Sequence, residues 1–306
     1  MELYWEGTNI TPHVTITGCV HRDASRGRSD SLELRLAHAS TWYQWGPEED
    51  DEIRIAEDGY TTGRMYLSAI FPEGDEYRIL ATSTRRAAGR KAWKTYRNIT
   101  LQGIFESCGA ESGMEGKLYG ISGKLDYPYI LRENEGAGAF LNRIGGMEGL
   151  AVKTYHGCYR GISIPWAQET EAVAGFAIRA ERQEGVTYRR RNNIKITALT
   201  VRTPWAEAIA RDTEAKGNNP RVITHLPALN AAQAGRWARG LLLQHNRMAE
   251  EITIDTALDF RLTAMARVDI TGNTDMSGMW MVDEAEHDLI DRQTTVRLLR
   301  VTDSIR

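Results

Sequence analysis

The chain has 306 residues, of which 42% are hydrophobic and 26% charged, and its 38 basic and 41 acidic side chains leave a net charge of −3. It is too hydrophobic for a disordered chain and too nearly neutral for a wholesale binder of nucleic acid or acidic membrane. The length accommodates two domains, or three small ones, with a real core.

Eight Trp and twelve Tyr against five Phe suit half-buried sheets and wet interfaces. Cys19, Cys108 and Cys158 are odd in number and none lies at CxxC spacing, so neither a disulfide framework nor a zinc site is expected. The opening MELYWEGTNI has no basic segment followed by an apolar run, and no apolar stretch approaches the ~18–20 residues of a bilayer span. The expectation is a chain made in a cytosol that stays soluble unless a larger particle carries it out.

Over residues 1 to about 81, short alternating runs read as antiparallel strands: Val14 and Ile16; Leu32, Leu34 and Leu36; Ile53 and Ile55; Tyr77 and Ile79. Turn residues such as Gly27, Gly46-Pro47 and Asp58-Gly59 separate them, which points to a small barrel or sandwich. Residues 84–94, polar and basic, read as a connection. Then the period changes. Asn98 or Thr100 can cap a helix whose Leu101, Ile104, Phe105 and Cys108 share a face, with Gly109 at the left-handed C-terminal position. Residues 127–131 look extended. A second helix is expected over about 134–144, on Ala137, Phe140, Leu141 and Ile144, stopped by Gly145-Gly146. Residues 150–153 and 159–164 form a hairpin about His156-Gly157. Alternation returns over 173–182 and 194–202. One strong helix is expected from 230 to about 248, with Ala234, Trp237, Ala238, Leu241, Leu242 and His245 on one face and Arg236, Arg239 and Arg247 on the other. The tail is β again, through Ile252, Leu262, Val268, Trp280, Val282, Val296 and Leu298.

Catalytic patterns are scarce. There is no GxSxG, no HExxH among His13, His21, His38, His156, His225, His245 and His287, and no GKS or GKT after the glycines at 113–116 or 145–149. Cys108 falls on a helix's apolar face and reads as a small buried hydrophobe. Cys158 lies two residues from His156, so a thiol–imidazole pair is open on paper, against the plainer structural reading. His287 reads as a hydrogen-bonded structural histidine. The carboxylates from Glu48 to Glu52 read as an exposed loop, not a pair held at glycosidase spacing. Arg85-Arg86, Arg90-Lys91 and the run Arg189-Arg190-Arg191 are opposite in sign to that acidic cluster, which is compatible with contacts between copies. No catalytic, cofactor-binding or metal-binding residue is expected.

The middle of the chain carries a resemblance. In order it has Arg90 and Trp93; Thr100-Leu101-Gln102-Gly103-Ile104; Gly113-Met114; Leu131-Arg132-Glu133-Asn134-Glu135; Ala139-Phe140-Leu141-Asn142-Arg143-Ile144; and Gly149-Leu150. This resembles the late control gene D family, the baseplate hubs of contractile phage tails. Asn134, Glu135, Phe140, Leu141 and Arg143 match that family's pattern. Glu133 stands where Gln is usual, Gly136-Ala137 where Ser-Asp is usual, and Ile144-Gly145 where Leu-Ala is usual. The changes keep the helix face and weaken its cap. Trp280, Val282, His287 and the strand over 294–300 are similar to the family's closing pattern.

The resemblance implies a β-rich α+β protein with two β-barrel, tube-like domains and an α+β elaboration between them. The first barrel would span 1–84 and be completed by strands from 165–205. The insert would span 85–164. The second barrel, with one long helix, would span 206–306. It implies a structural role without enzymatic activity: a homotrimeric, pseudo-sixfold ring joining a hexameric tail tube to a trimeric spike. The setting would be a phage tail or tail-like injection particle assembled in the host cytoplasm. The implied partners are the spike, the tail tube or its initiator, and the tape-measure and baseplate wedge proteins; DNA would only pass through the channel. Alternative readings are a tail-associated peptidoglycan hydrolase, which lacks a catalytic constellation here, and a tube-end adaptor, which would lack the two-helix block.

Overall fold

The computed structural model describes residues 1–37, 46–179, 183–191 and 194–305. His38 and the end of the alternation read over 173–182 lie outside the described residues. The protein is β-rich α+β, as the sequence implies.

In the strand Ser31–Ala37, Leu32, Leu34 and Leu36 are buried while Arg35 faces solvent. The same alternation buries Ile53 and Ile55 in Glu52–Glu57, and Tyr77 and Ile79 in Glu76–Thr82. One face of each strand therefore joins a common core with Leu3, Trp5 and Cys19. A second β core gathers Ile252, Ile254, Trp280, Val282, Val296 and Leu298 from Glu250–Ala257, Gly278–Asp288 and Gln293–Arg300.

The two cores lie on one branched sheet of fourteen strands. Its fork is Gly278–Asp288. One edge of this strand pairs with Gln293–Arg300 over most of its length. On the other edge its first half pairs with Arg267–Thr271, and its second half with Thr15–Ala24, setting His287 opposite His21. A register shift between Val282 and Glu284 marks the changeover, with Asp283 at the bulge.

Two separate barrels were the expectation. Among the described residues the sheet is open, with no closed barrel. The strands expected to complete the first β region are also partnered elsewhere. Ala172–Ala177 pairs with Arg267–Thr271, Val186–Arg190 with Glu250–Ala257, and Ala198–Arg202 joins a small sheet with Glu207–Arg211 and Pro220–Ile223. Their apolar residues fit those cores: Phe176 and Val186 pack on the second β core, and Leu199 and Val201 pack with the helices.

Helix α1 spans Leu101–Glu111, α2 Ala137–Met147, α3 Ile164–Gln168 and α4 Ala231–Asn246. The Thr100 hydroxyl caps α1, accepting from the Gly103 N–H at 3.1 Å. Leu101, Ile104, Phe105 and Cys108 are buried along one side. Gly109 lies inside α1 rather than at its end; the left-handed residue is Gly113, at φ +66°. The reason is close packing. A Cβ at Gly109 would stand 2.7 Å from the Glu115 carbonyl carbon, and one at Gly116 2.2 Å from that of Phe105, so the two glycines let α1 press on the strand Glu115–Tyr119.

Helix α2 likewise runs through Gly145-Gly146 to Met147, and Gly149, at φ +72°, follows it. Its N-cap, Gly136, has no side-chain cap, as the departure from the family pattern predicts. A Cβ there would meet the Ala88 carbonyl oxygen at 3.1 Å. The strands Ala92–Thr100 and Asp126–Glu135 pair as a two-stranded ribbon, so part of the stretch read as a connection is sheet. Helix α4, expected to belong with the last β region, packs its Ala234, Trp237, Ala238 and Leu242 into the same core as α1 and α2.

Candidate functional site

The residues matching the family pattern have structural work. Asn134 adopts a left-handed turn at φ +50°, which Asn tolerates better than most residues. Glu135 accepts from Arg143 Nε at 2.9 Å and Nη2 at 2.8 Å, and Nη2 also donates to the Leu131 carbonyl at 2.7 Å. The pair clamps α2 to the strand before it, while Phe140 and Leu141 enter the core. Arg132, 2% exposed, donates to Glu111, to the Glu135 carbonyl and to the Arg90 carbonyl, at 2.6, 2.7 and 3.0 Å. In the closing pattern Trp280 Nε1 donates to the Met276 carbonyl at 2.8 Å, and His287 Nδ1 lies 2.9 Å from the Thr294 hydroxyl. Every matched residue is turn, clamp or core.

Three buried polar junctions tie the parts of the chain together. At the fork, Asp283 accepts from the Ser25 hydroxyl at 2.9 Å, from Arg297 at 2.7 Å and from Arg26, with Arg247 at 3.9 Å. Burial alone would raise its carboxyl; the three guanidiniums outweigh that and hold it below the ordinary value. Arg247, read from the sequence on the exposed face of α4, is buried here, and burial pushes its guanidinium down to about 10. The second junction is Glu148, at the end of α2. It accepts from the Tyr127 hydroxyl at 2.6 Å, Trp237 Nε1 at 2.9 Å and Arg236 Nε at 3.0 Å, and so pins α4 to α2. Gly240 permits the approach: a Cβ there would stand 2.1 Å from the Met147 carbonyl oxygen.

The third junction joins the first β region to the hairpin of Leu150–Tyr155 and Cys158–Ser163. Lys153 pairs with Asp23, both buried. Asp30 lies nearby; burial, opposed by the Lys153 charge and assisted by that of Asp23, pushes its carboxyl up to about 8. His21 contacts the Tyr60 hydroxyl through Nδ1, and burial pushes its imidazole down to about 3. A cavity of about 350 Å³ opens here, lined by His21, Asp23, Tyr60, Lys153, Tyr155 and Arg160 among others.

The thiols are poor nucleophiles. Burial pushes Cys19 up to about 12 and Cys108 up to about 11, and raises Cys158. Cys158 directs its hydrogen bond to the Tyr159 carbonyl at 3.5 Å, not to His156. The acidic run and the basic cluster after it meet within the chain: Arg86 pairs with Glu49, and its N–H donates to Asp50 at 2.9 Å. Arg189 and Arg190 lie 3.8 and 3.7 Å from Glu251 and Glu250. Among the described residues no group of three His, Cys, Asp or Glu is placed to hold a metal, and no helix is long and apolar enough to cross a membrane.

The surface carries apolar groups. Trp93 on the ribbon is 70% exposed and Trp205 67%. On the small sheet Thr200 lies opposite both Ile209 and Val222, which makes a cross-strand row whose two apolar ends are exposed. Among the described residues Val186–Arg190 comes last in the strand order of the large sheet.

No protein-family model and no curated protein sequence matches the chain. Solved structures do. A tail protein from Neisseria meningitidis MC58 superposes with a TM-score of 0.75 at 11% identity, over 98% of this chain and 95% of that one. The 43 kDa tail protein of prophage MuSo2 from Shewanella oneidensis gives 0.70 at 13% identity, over 98% and 96%. The E. coli c3393 protein gives 0.60 at 9%, over 99% and 78%; it is described as a component of the type VI secretion system with structural similarity to the T4 tail proteins gp27 and gp5. At these identities the likeness is one of fold. The chain has a fold shared by phage tail proteins and a type VI secretion component, over nearly its whole length.

Proposed function

We propose that the protein is a structural component of a phage tail or tail-like injection particle, and within it the baseplate hub. Three copies would form a ring between a hexameric tube and a trimeric spike. The observation that carries this reading is the near-complete overlap of the chain with tail proteins of the same fold. The motif residues support it: they serve the fold rather than a reaction.

In this reading the two β cores act as the two tube-like domains, the first within 1–84 and the second built from 172–190 and 250–300, and 85–164 is the elaboration between them. The row Ile209–Thr200–Val222, Trp93 and the edge residues Val186 to Arg189 are the groups that neighbouring copies and the spike would cover. Closure of a ring by strand edges satisfies the backbone groups that one open sheet leaves free.

Native mass spectrometry of the purified chain, alone and co-expressed with its candidate trimeric spike protein, is the test. The expected species is a trimer, free or spike-bound. A chain that stays monomeric with its spike overturns the hub. A peptidoglycan zymogram should remain blank; clearing that a single substitution abolishes would favour the hydrolase alternative.

A further inference from the structure

The cavity beside Lys153 has features that an assembly scaffold does not require. Its lining comes from three separate stretches: His21, Asp23 and Gly59 to Thr61 of the first β region, Lys153 to Ile162 of the hairpin, and Thr263-Ala264 near the second β core. At about 350 Å³ it is large enough for a small ligand.

Two of its lining residues carry a buried nitrogen without a hydrogen-bond partner among the described residues. Tyr60 is held protonated by burial, and the partner of its hydroxyl is His21 Nδ1. In the tautomer in which the Tyr60 hydroxyl donates to Nδ1, the hydrogen of the neutral imidazole sits on Nε2, and this is the form the proposal below uses. His21 is 1% exposed, and its Nε2 has no hydrogen-bond partner among the described residues. Arg160 Nε is likewise buried and unpartnered. The Arg160 guanidinium lies over the Tyr155 ring, 4.8 Å from its centroid, and makes no ion pair among the described residues. Unmet buried donors are costly, and both belong to residues lining one cavity.

The charges agree. Lys153 is neutralised by Asp23, and Arg160 is the charge left over. Asp30 is not among the cavity's lining residues, and burial pushes its carboxyl up to about 8. The cavity is thus short of one negative charge and of acceptors.

We propose that this cavity binds a small oxyanion, a carboxylate or phosphate group, held by the Arg160 guanidinium and the Nε2–H of His21 beside Lys153. A planar or tetrahedral oxyanion supplies several acceptors at once, and guanidinium is the side chain best shaped to meet them. The Tyr155 ring lies against the guanidinium, and Tyr155 is itself fixed by donating to the Thr61 carbonyl at 3.2 Å.

The test is thermal melting of the full chain at pH 7 in increasing sodium phosphate or sodium acetate, against sodium chloride of equal ionic strength. The expected result is a saturable rise in Tm with at least one oxyanion and none with chloride. Saturation by phosphate alone assigns a phosphate site, by acetate alone a carboxylate site, and by both the shared chemistry. Arg160→Gln, at a half-buried position, should weaken the half-saturation point at least tenfold. A rise no larger than chloride's, or one that survives Arg160→Gln, overturns the proposal. A second readout does not depend on the variant: the His21 imidazole resonances of the wild-type chain should move with the same half-saturation, and their failure to move is equally decisive.

Discussion

Asp283 is buried and receives three arginines, of which Arg247 is buried as well and Arg26 and Arg297 are partly exposed. Removing its charge would leave Arg26 and Arg247 without a carboxylate partner and Arg297 with Glu284 alone, at 2.8 Å, and breaking a buried pair in this way costs about 3–5 kcal/mol. Asp283→Asn should lower stability by that order in urea denaturation; a loss under about 1 kcal/mol would show that the junction is not structural. The pH dependence has two signs. An unfolded Asp30 ionises near 3.8, whereas the folded one keeps its proton up to about 8. Between those values the native state holds the extra proton, so this group makes stability fall as pH rises. For His21 the ordinary value is 6.5 and the folded value about 3. The unfolded chain takes up a proton that the fold refuses, so stability falls as pH drops through that window. Asp30→Asn should therefore gain on the wild type between pH 5 and pH 8 in paired urea titrations; parallel pH curves would contradict it. At this scale the sequence was only partly readable. Phe140 and Trp280 followed from periodicity and pattern. Arg247 did not, because a 3-10 turn at Arg247–Ala249 ends the helical period and turns the side chain toward a carboxylate 36 positions on.

Helices α1, α2 and α4 were legible because their apolar faces repeat at helical spacing and Thr100 and Asn230 cap two of them. The ribbon strand Ala92–Thr100 was not. It buries Tyr96 while Trp93, Thr95 and Arg97 face out, so it lacks the apolar alternation that marks a strand. Helix α2 depends on burial more than on capping, since Gly136 offers no side chain. Phe140 is fully buried and stacks on Tyr96, ring centroids 5.4 Å apart. Phe140→Asp should abolish soluble folding, and Phe140→Leu should melt only slightly earlier. Soluble expression of the Asp variant with a normal circular-dichroism melt would refute the placement.

For the whole molecule, composition and alternation announced a β-rich α+β chain. Which strand pairs with which stayed hidden, because pairing is set by contacts hundreds of residues apart. Glu284 to Asp288 lie on Val20 to Ala24, and no local pattern near either segment says so. The same pairing predicts cooperative unfolding. Since Gly278–Asp288 belongs to both halves of the sheet, neither β core can lose it alone. Calorimetry should show one transition with both cores melting together, and hydrogen exchange should protect the amides of both halves alike. Two well-separated transitions would mean that the fork is a weak link.

The fork also has a mechanical consequence. A strand with one partner below its midpoint and another above it is a splice, as in a rope, where load passes by overlap rather than by a knot. Pull applied to the first β region reaches the second through the ladder between Thr15–Ala24 and Gly278–Asp288, with Arg26 and Arg247 gripping the splice at Asp283. Such continuity carries load between the two β cores better than two domains on a flexible linker would.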